Sequence, residues 1–365
     1  MSDRNVIESK AGPLEKVGHA LLRRMGQTCP DGLSSLEDQR ILTDDEQLQL
    51  KKIARFTVMR AALAGALSAV VAAVAALYAE KYFADDTVNY WLLFGGVSLL
   101  AAVVEVGFLY YDSLRAVHRI SQACDVELFP EGEESSMMAG IMVRAAMELP
   151  NPPDKDPYIN PLRDASKWRL MLGVIIYKGK IMVSNALAKV LVRKIFIRGA
   201  ARAWLEFVAV PVTAGWNALV CFWVLREARV RAMGPSTVWQ NLPEWLDDIN
   251  PELAEVAQRA VGVCVSASRD LHPNHLLMLT WMRENSGLRV TDEPESVELF
   301  FQKLEDLNPE DKKRGVDVLA MATIIDGRAS KHELKILSQV TGVEMKPVMK
   351  SMLHTFRSGQ GIEGL

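Results

Sequence analysis

Two short stretches near the C-terminus hold the residues whose types and spacing could bind a metal ion. In the first, Asp326 and Gly327 are followed by Ser330 and Glu333. Two carboxylates this close together could contribute to a divalent cation site, although calcium needs more oxygen ligands than they provide. The same residues also fit a turn and a capping box, in which Ser330 and Glu333 open a helix. The pattern favours the capping box and leaves metal binding by Asp326 and Glu333 as the alternative.

The second stretch reads Asp270-Leu-His272-Pro-Asn-His275. Two histidines beside an aspartate are suitable zinc ligands, but the sequence identifies no third protein ligand. Pro273 instead fits the first position of a helix, so the stretch also matches a helix entrance. The chain has no P-loop, dinucleotide-binding, zinc-protease or nucleophile-elbow motif. We therefore expect no enzymatic activity, no catalytic residues and no cofactor, with a divalent metal as the open alternative.

Two ionisable residues lie inside long apolar stretches, where a charge is costly. Residues 61–79 contain no charge, and extending them back to Phe56 adds only Arg60. Residues 90–111 are also apolar apart from Glu105. An antiparallel hairpin would bring both side chains to a similar depth, which predicts an ion pair between Arg60 and Glu105, within the hairpin or between two copies. The alternative is that Arg60 extends to the lipid headgroups while Glu105 meets water.

Both apolar stretches are long enough to cross a bilayer core of about 30 Å. The first is rich in alanine, and Ala61, Gly65 and Ala69 lie four residues apart on one helical face. Small residues at this spacing let a second helix approach closely, which favours homo-oligomers. The helical pattern also extends beyond the bilayer, so we predict one helix over residues 44–82 and a second that ends near residue 124. Together they form a long transmembrane hairpin.

The charges around this hairpin predict its orientation. Acidic Asp85 and Asp86 lie in the short loop between the spans, whereas basic residues flank the other ends. The positive-inside rule then places both flanks in the cytosol of a bacterium whose inner membrane the hairpin spans. The basic flanking residues are Lys51, Lys52, Arg55, Arg115 and Arg119.

A third apolar stretch covers residues 204–225 and contains Pro211 and Gly215. Arginines border it on both sides, so charge does not orient it. We expect a re-entrant segment broken between Pro211 and Gly215, with a third crossing as the alternative. An amphipathic basic helix precedes it and is suited to the headgroups of anionic lipids, whereas no motif favours nucleic acid. The alternative is that its basic face is solvated or packs against protein. Its basic residues are Lys189, Arg193, Lys194 and Arg198.

The 365 residues carry a net charge of −3, but the charges are segregated. Residues 163–231 hold 13 basic and 3 acidic side chains, whereas residues 232–315 hold 8 basic and 15 acidic ones. These shifts, and five prolines between residues 149 and 162, divide the all-α chain into five units. They are an N-terminal cytosolic helical segment (1–42), the hairpin (43–127), an acidic and proline-rich connector (128–162), the basic helix with the third apolar segment (163–232) and a cytosolic helical domain (233–365).

The last unit contains a weak internal repeat with a shift of 56 residues, in which Asp270 matches Asp326. Each copy has an apolar helix that ends at an aspartate, then a short turn and a second helix. The second copy, with Asp326, Gly327, Ser330, Glu333 and Leu334, resembles the tellurite-resistance protein B (TerB-like) helical domain. That resemblance implies an all-α cytosolic bundle linked to membrane-associated stress or defence systems, with acidic turn residues that bind metal.

We therefore expect a non-enzymatic protein of the bacterial inner membrane that holds a TerB-like domain at the cytosolic face. Its expected role is scaffolding or stress sensing as a homo-oligomer, with the bilayer and an unidentified cytosolic protein as partners. The alternative is an oligomeric channel or transport component, in which Arg60, Glu105 and the segment around Pro211 line a water-filled path.

Overall fold

The computed structural model describes residues 12–26, 42–124, 126, 128–129, 137–149, 202–290, 292–362 and 364–365, and all regular structure among them is helical. This confirms the predicted all-α class for the described residues. The helices are α1 (Pro13–Gly26), α2 (Asp44–Phe83), α3 (Thr87–Ala123), α4 (Met137–Ala146), α5 (Arg202–Trp245), α6 (Pro251–Ser268), α7 (Pro273–Ser286), α8 (Val297–Glu305), α9 (Pro309–Ile324), α10 (Lys331–Thr341) and α11 (Lys346–Ser358).

The first two long helices, α2 and α3, form an antiparallel hairpin with the bounds that the sequence predicts to within a residue or two. Thr43 and Glu46 form the capping box that opens α2. The side chain of Asp86 accepts a hydrogen bond from the backbone of Asn89 and opens α3. At 1.5 Å per residue, the 40 residues of α2 extend for about 60 Å, twice the thickness of a bilayer core.

The third long helix, α5, is continuous over 44 residues although Pro211, Pro235 and Pro243 lie inside it. The predicted break between Pro211 and Gly215 is therefore wrong. Side-chain hydroxyls support the backbone near two of these prolines: Thr213 donates to the carbonyl of Ala209, and Thr237 donates to that of Met233. Three described helices are thus long and apolar enough to cross a membrane, namely α2, α3 and the part of α5 from Ala209 to Trp245. The expected domain boundary at residue 232 falls inside α5.

Small residues bring these three helices close together. Between residues 61 and 79 of α2, every buried residue is alanine, glycine or serine. Most of the large apolar side chains of the same stretch are exposed. They are Leu63, Leu67, Val70, Val71, Val74 and Tyr78.

The last six helices, α6 to α11, form what we call the C-terminal bundle. Its core contains large apolar side chains, among them Phe300 and Phe356, which are fully buried. Helix α6 packs against α7, α8, α9 and α10. The pairs α6–α7 and α9–α10 correspond to the two predicted copies of the internal repeat, with Asp270 and Asp326 in their turns.

One end of the long helices meets this bundle, and we call it the bundle end; the other, at Ala84 to Asp86, is the turn end. The backbone N–H of Leu42, just before α2, donates to the carbonyl of Gly359 after α11 at 2.9 Å. Helices α1 and α4 pack beside the long helices, and Arg144 of α4 holds Glu15 of α1 in a bidentate pair at 2.7 Å. Helix α1, the start of α2 and the C-terminal bundle therefore all lie at the bundle end.

Candidate functional site

The charge within the apolar stretch of α2 pairs with a residue that the sequence does not single out. Arg60 contacts both carboxylate oxygens of Asp112 on α3, with nitrogen-to-oxygen distances of 2.8 to 3.0 Å. Its guanidinium also donates to the hydroxyl of Thr57 at 3.2 Å. The predicted pairing with Glu105 within the hairpin is therefore wrong. Asp112 lies seven residues beyond Glu105, or two helical turns closer to the bundle end, and the antiparallel register places that turn opposite Arg60.

Glu105 instead contacts the third long helix. Its carboxylate accepts a hydrogen bond of 2.6 Å from the side-chain amide of Asn217 on α5, and both residues are buried. A buried carboxylate without a donor would be costly, so this contact ties α5 to α3 at a defined register. Asn217 is recognisable in the sequence as a polar residue within the third apolar stretch, but the sequence does not connect it with Glu105.

The small-residue face of α2 packs against α5 of the same chain. Ala61 and Ala69 are buried. A Cβ atom added to Gly65 would lie 2.6 Å from the amide nitrogen of Asn217 and 2.9 Å from the carbonyl oxygen of Thr213. Only glycine allows this approach. The close helix partner that the spacing predicts therefore exists, but it is a helix of this chain, so the small face offers no surface for a second copy.

The turn between α9 and α10 forms the joint between the C-terminal bundle and α5. Gly327 has φ of +76°, and an added Cβ would lie 2.5 Å from a methyl group of Val230 on α5. Asn274 of α7 bridges the same place, since its amide donates to the carbonyls of Val230 at 3.0 Å and Ile325 at 2.8 Å. The turn at Asp326 and Gly327 therefore contacts α5, whose apolar part is long enough to cross a membrane.

Each predicted metal ligand makes a hydrogen bond within the protein. Glu333 and Ser330 form the predicted capping box, with the Ser330 N–H 2.6 Å from one carboxylate oxygen. One oxygen of Asp326 accepts the backbone N–H of Arg328 at 2.7 Å. Among the described residues, no group of three or more His, Cys, Asp or Glu side chains has the geometry to hold a metal ion. Asp326 and Glu333 thus gain no third ligand there.

The two histidines of the other stretch point to different partners. Nε2 of His272 lies 3.1 Å from the carboxylate of Glu227 on α5, whereas Nε2 of His275 lies 2.8 Å from the carbonyl of Ala322 on α9. Pro273 occupies the start of α7, as the helix-entrance interpretation predicts. These contacts make the histidines part of the packing between α7 and its neighbours.

Behind the joint lies a buried group of titratable side chains. Glu333 is 2% exposed, and its second carboxylate oxygen has no hydrogen-bond partner among the described residues. Burial raises the pKa of Glu333 to about 7, and the nearby Asp326 adds to this shift. Burial likewise raises the pKa of Asp326 and the pKa of the Cys264 thiol, and it lowers the pKa of His275. The pKa of Glu333 therefore lies near neutral pH, unlike that of an ordinary carboxylate.

The four basic residues predicted to face anionic lipids, Lys189, Arg193, Lys194 and Arg198, lie outside the described residues. Known protein families, curated proteins and solved structures yield no match to this chain. The resemblance to TerB-like domains therefore stays a prediction that rests on the motif from Asp326 to Leu334.

Proposed function

We propose that this chain is a multi-pass protein of the bacterial inner membrane that holds its C-terminal bundle at the cytosolic face. In this proposal the bundle is a TerB-like, non-enzymatic module for scaffolding or stress sensing. The observation that carries it is the continuity of α5, which runs from an apolar segment of spanning length directly into the contacts with the bundle. A rigid helix of this kind fixes the position of the bundle relative to the membrane.

The exposed aromatic residues support a membrane position for the three helices. One set lies near the bundle end, and a second set lies near the turn end. Some 22 to 26 residues of α2 separate the two sets, or about 35 Å at 1.5 Å per residue, which suits a bilayer core of about 30 Å. Aromatic side chains favour the two membrane interfaces. The set near the bundle end comprises Phe56, Tyr111, Phe222 and Trp223, and the set near the turn end comprises Tyr78, Tyr82 and Trp91.

Charge supports a cytosolic bundle end. Lys51, Lys52 and Arg115 are exposed there, whereas Asp85 and Asp86 are exposed at the turn end. Since α5 runs antiparallel to α2, its start at Arg202 belongs to the turn end. Residues 150–201, which connect Leu149 to the start of α5, lie outside the described residues.

Cysteine accessibility in intact cells tests this topology. Single cysteines would replace Tyr82, Arg202 and Leu365 in a variant without the four natural cysteines. We expect an impermeant thiol reagent to label the first two positions and to reach Leu365→Cys only after lysis. Labelling of Leu365→Cys in intact cells, or release of the whole protein by alkaline carbonate, would reject the proposal.

The proposal includes a homo-oligomer, although the small-residue face is occupied within the chain. A second copy, or lipid, would contact the exposed apolar face of α3, which includes Leu92, Leu99 and Val103. Native mass spectrometry in detergent would show a mass above one chain. A single-chain mass across detergents would remove this part of the proposal.

The second candidate function is an oligomeric channel or transport component. The observation behind it is the presence of Glu105, Asn217, Arg60 and Asp112 within helices of spanning length, because polar residues at such depth often serve transport. Reconstituted bilayers distinguish the two functions. A conductance that changes with Glu105→Gln favours a channel, whereas an unchanged membrane resistance favours the scaffold.

A further inference from the structure

Three arginines surround the turn that joins the C-terminal bundle to α5. Arg226 of α5 donates to the carbonyl oxygen of Gly327 at 3.1 Å. Arg357 of α11 donates to the same oxygen through two nitrogens, at 3.2 and 2.5 Å. Because both bind one oxygen, the two guanidinium groups approach within about 6 Å of each other. Arg328 follows Gly327 in the chain and is exposed.

This arrangement concentrates three positive charges, which the nearby carboxylate of Asp326 opposes only in part. Among the described residues, none of the three arginines lies within ion-pair distance of a carboxylate. Burial lowers the pKa of Arg357, and the positive charges of Arg226 and Arg328 lower it further; only Asp326 acts in the opposite direction. A guanidinium has five N–H donors, and one carbonyl oxygen uses few of them. The joint therefore holds several donors and an excess of positive charge that an anion would neutralise.

The position of these three arginines indicates which kind of anion binds them. Arg226 lies three residues, or nearly one helical turn, beyond the exposed aromatic residues Phe222 and Trp223 on α5, which are 51% and 44% exposed. If these aromatic residues lie at the membrane interface, as the proposed function requires, the three arginines lie at the level of the lipid headgroups. Paired guanidinium groups bind the oxygens of phosphate well, because their planar donors match its geometry.

We propose that Arg226, Arg328 and Arg357 bind the phosphate of an anionic lipid headgroup at the joint between α5 and the C-terminal bundle. This inference rests on the proposed membrane position, and it names a site apart from the predicted basic helix. The lipid would bridge α5 and α11, because each supplies one of the guanidinium groups that converge on Gly327. Lipid composition would thereby control how firmly the bundle is held against the membrane helices.

The test uses the full-length protein in nanodiscs of phosphatidylcholine with and without phosphatidylglycerol. Native mass spectrometry then counts the phosphatidylglycerol retained by the protein, and a melting curve reports its stability. We expect preferential retention of phosphatidylglycerol and a higher melting temperature in its presence. Arg328→Gln should lower the retention about fivefold, since each basic residue near a membrane surface contributes roughly that factor. Its side chain forms no hydrogen bond with the described residues, so the joint stays intact.

Two further variants separate binding from folding. Arg357→Gln should lower retention more strongly, whereas Arg357→Lys should recover part of it because the charge remains. Arg314→Gln is the matched control, because Arg314 is paired with Glu310 at 2.9 Å on α9. Equal retention by the wild type, Arg328→Gln and Arg357→Gln would overturn the inference while leaving the membrane topology untouched.

Inorganic phosphate distinguishes a lipid from a soluble anion. In nanodiscs of phosphatidylcholine alone, millimolar phosphate should raise the melting temperature much less than phosphatidylglycerol does. An equal or larger shift with inorganic phosphate would reject the lipid assignment. The carbonate extraction tests the proposed membrane position separately. If that proposal is wrong, alkaline carbonate releases the protein from membranes, whatever the lipid retention.

Discussion

The three long helices and the C-terminal bundle of this chain are stabilised by different interactions. Buried positions of α2 between residues 61 and 79 are all alanine, glycine or serine, and polar pairs such as Glu105 with Asn217 connect the helices. The bundle instead buries large apolar side chains, including Phe300 and Phe356. Among lipids, apolar side chains gain nothing by leaving the solvent, so close packing and hydrogen bonds hold helices together. In water, burial of apolar surface provides the main stabilisation.

The two regions should therefore respond in opposite ways to changes in side-chain size. Their buried acids differ as well: Glu105 connects two helices, whereas Glu333 caps its own helix and leaves one oxygen without a described partner. The first contact holds tertiary structure together, and the second makes local structure sensitive to protonation.

A large-to-small substitution in the bundle should have the largest effect. Phe300→Ala removes a fully buried ring, and we expect the free energy of unfolding to fall by about 4 kcal/mol because of lost burial and a residual cavity. Phe222→Ala is the control, since Phe222 is exposed on α5. Urea unfolding of the protein in detergent, followed by tryptophan fluorescence, provides the measurement. An equal loss in both variants would contradict the expected difference between the two regions.

A small-to-large substitution should be most damaging between the long helices. Gly65→Leu forces side-chain atoms into the backbone of α5 near Thr213, so we expect a loss of about 3 kcal/mol. Gly95→Leu introduces the same side chain on α3, where an added Cβ meets nothing within 4 Å. Melting temperatures and size-exclusion profiles in detergent compare the two variants. Similar stability of Gly65→Leu and Gly95→Leu would show that α2 and α5 do not pack as described.

Charge exchange tests the polar contacts between the long helices. Arg60→Asp or Asp112→Arg alone should destabilise the hairpin by about 1 kcal/mol, because Arg60 is partly exposed and its pairing is weakened by solvent. The double variant should recover most of this loss, as measured by melting temperature. Arg60→Glu combined with Glu105→Arg should give no recovery. Recovery of the melting temperature in this second double variant would support the ion pair between Arg60 and Glu105 that the sequence predicts.

Glu333 should make the stability of the C-terminal bundle depend on pH below neutrality. Its pKa rises from 4.5 to about 7 on folding, so the folded protein binds more protons than the unfolded chain between these two values. The free energy of unfolding should consequently fall as the pH rises through this window, and it should stay lower above it. Glu333→Gln should flatten this part of the profile, as measured by urea unfolding across the pH range. An unchanged slope would show that Glu333 does not titrate in the window.

Local signals in the sequence predict much of the helical structure. The capping boxes at Thr43 and Ser330 and the proline at position 273 mark helix starts, because these depend on a few neighbouring residues. Arg60 and Gly65 are likewise recognisable as unusual within an apolar stretch. Their partners cannot be assigned from the sequence, because Asp112 follows the apolar stretch of α3 and Asn217 lies more than a hundred residues away.

By itself, the sequence determined the all-helical class, the bounds of the hairpin, and the presence of apolar segments of spanning length, since periodicity, caps and hydrophobicity are local properties. Only the tertiary structure decided that α5 is continuous through its prolines and that the small face of α2 packs against it. It also decided that Arg226 and Arg357 meet at Gly327. These contacts depend on the register between distant helices, which is set by the packing of all three long helices and the bundle together.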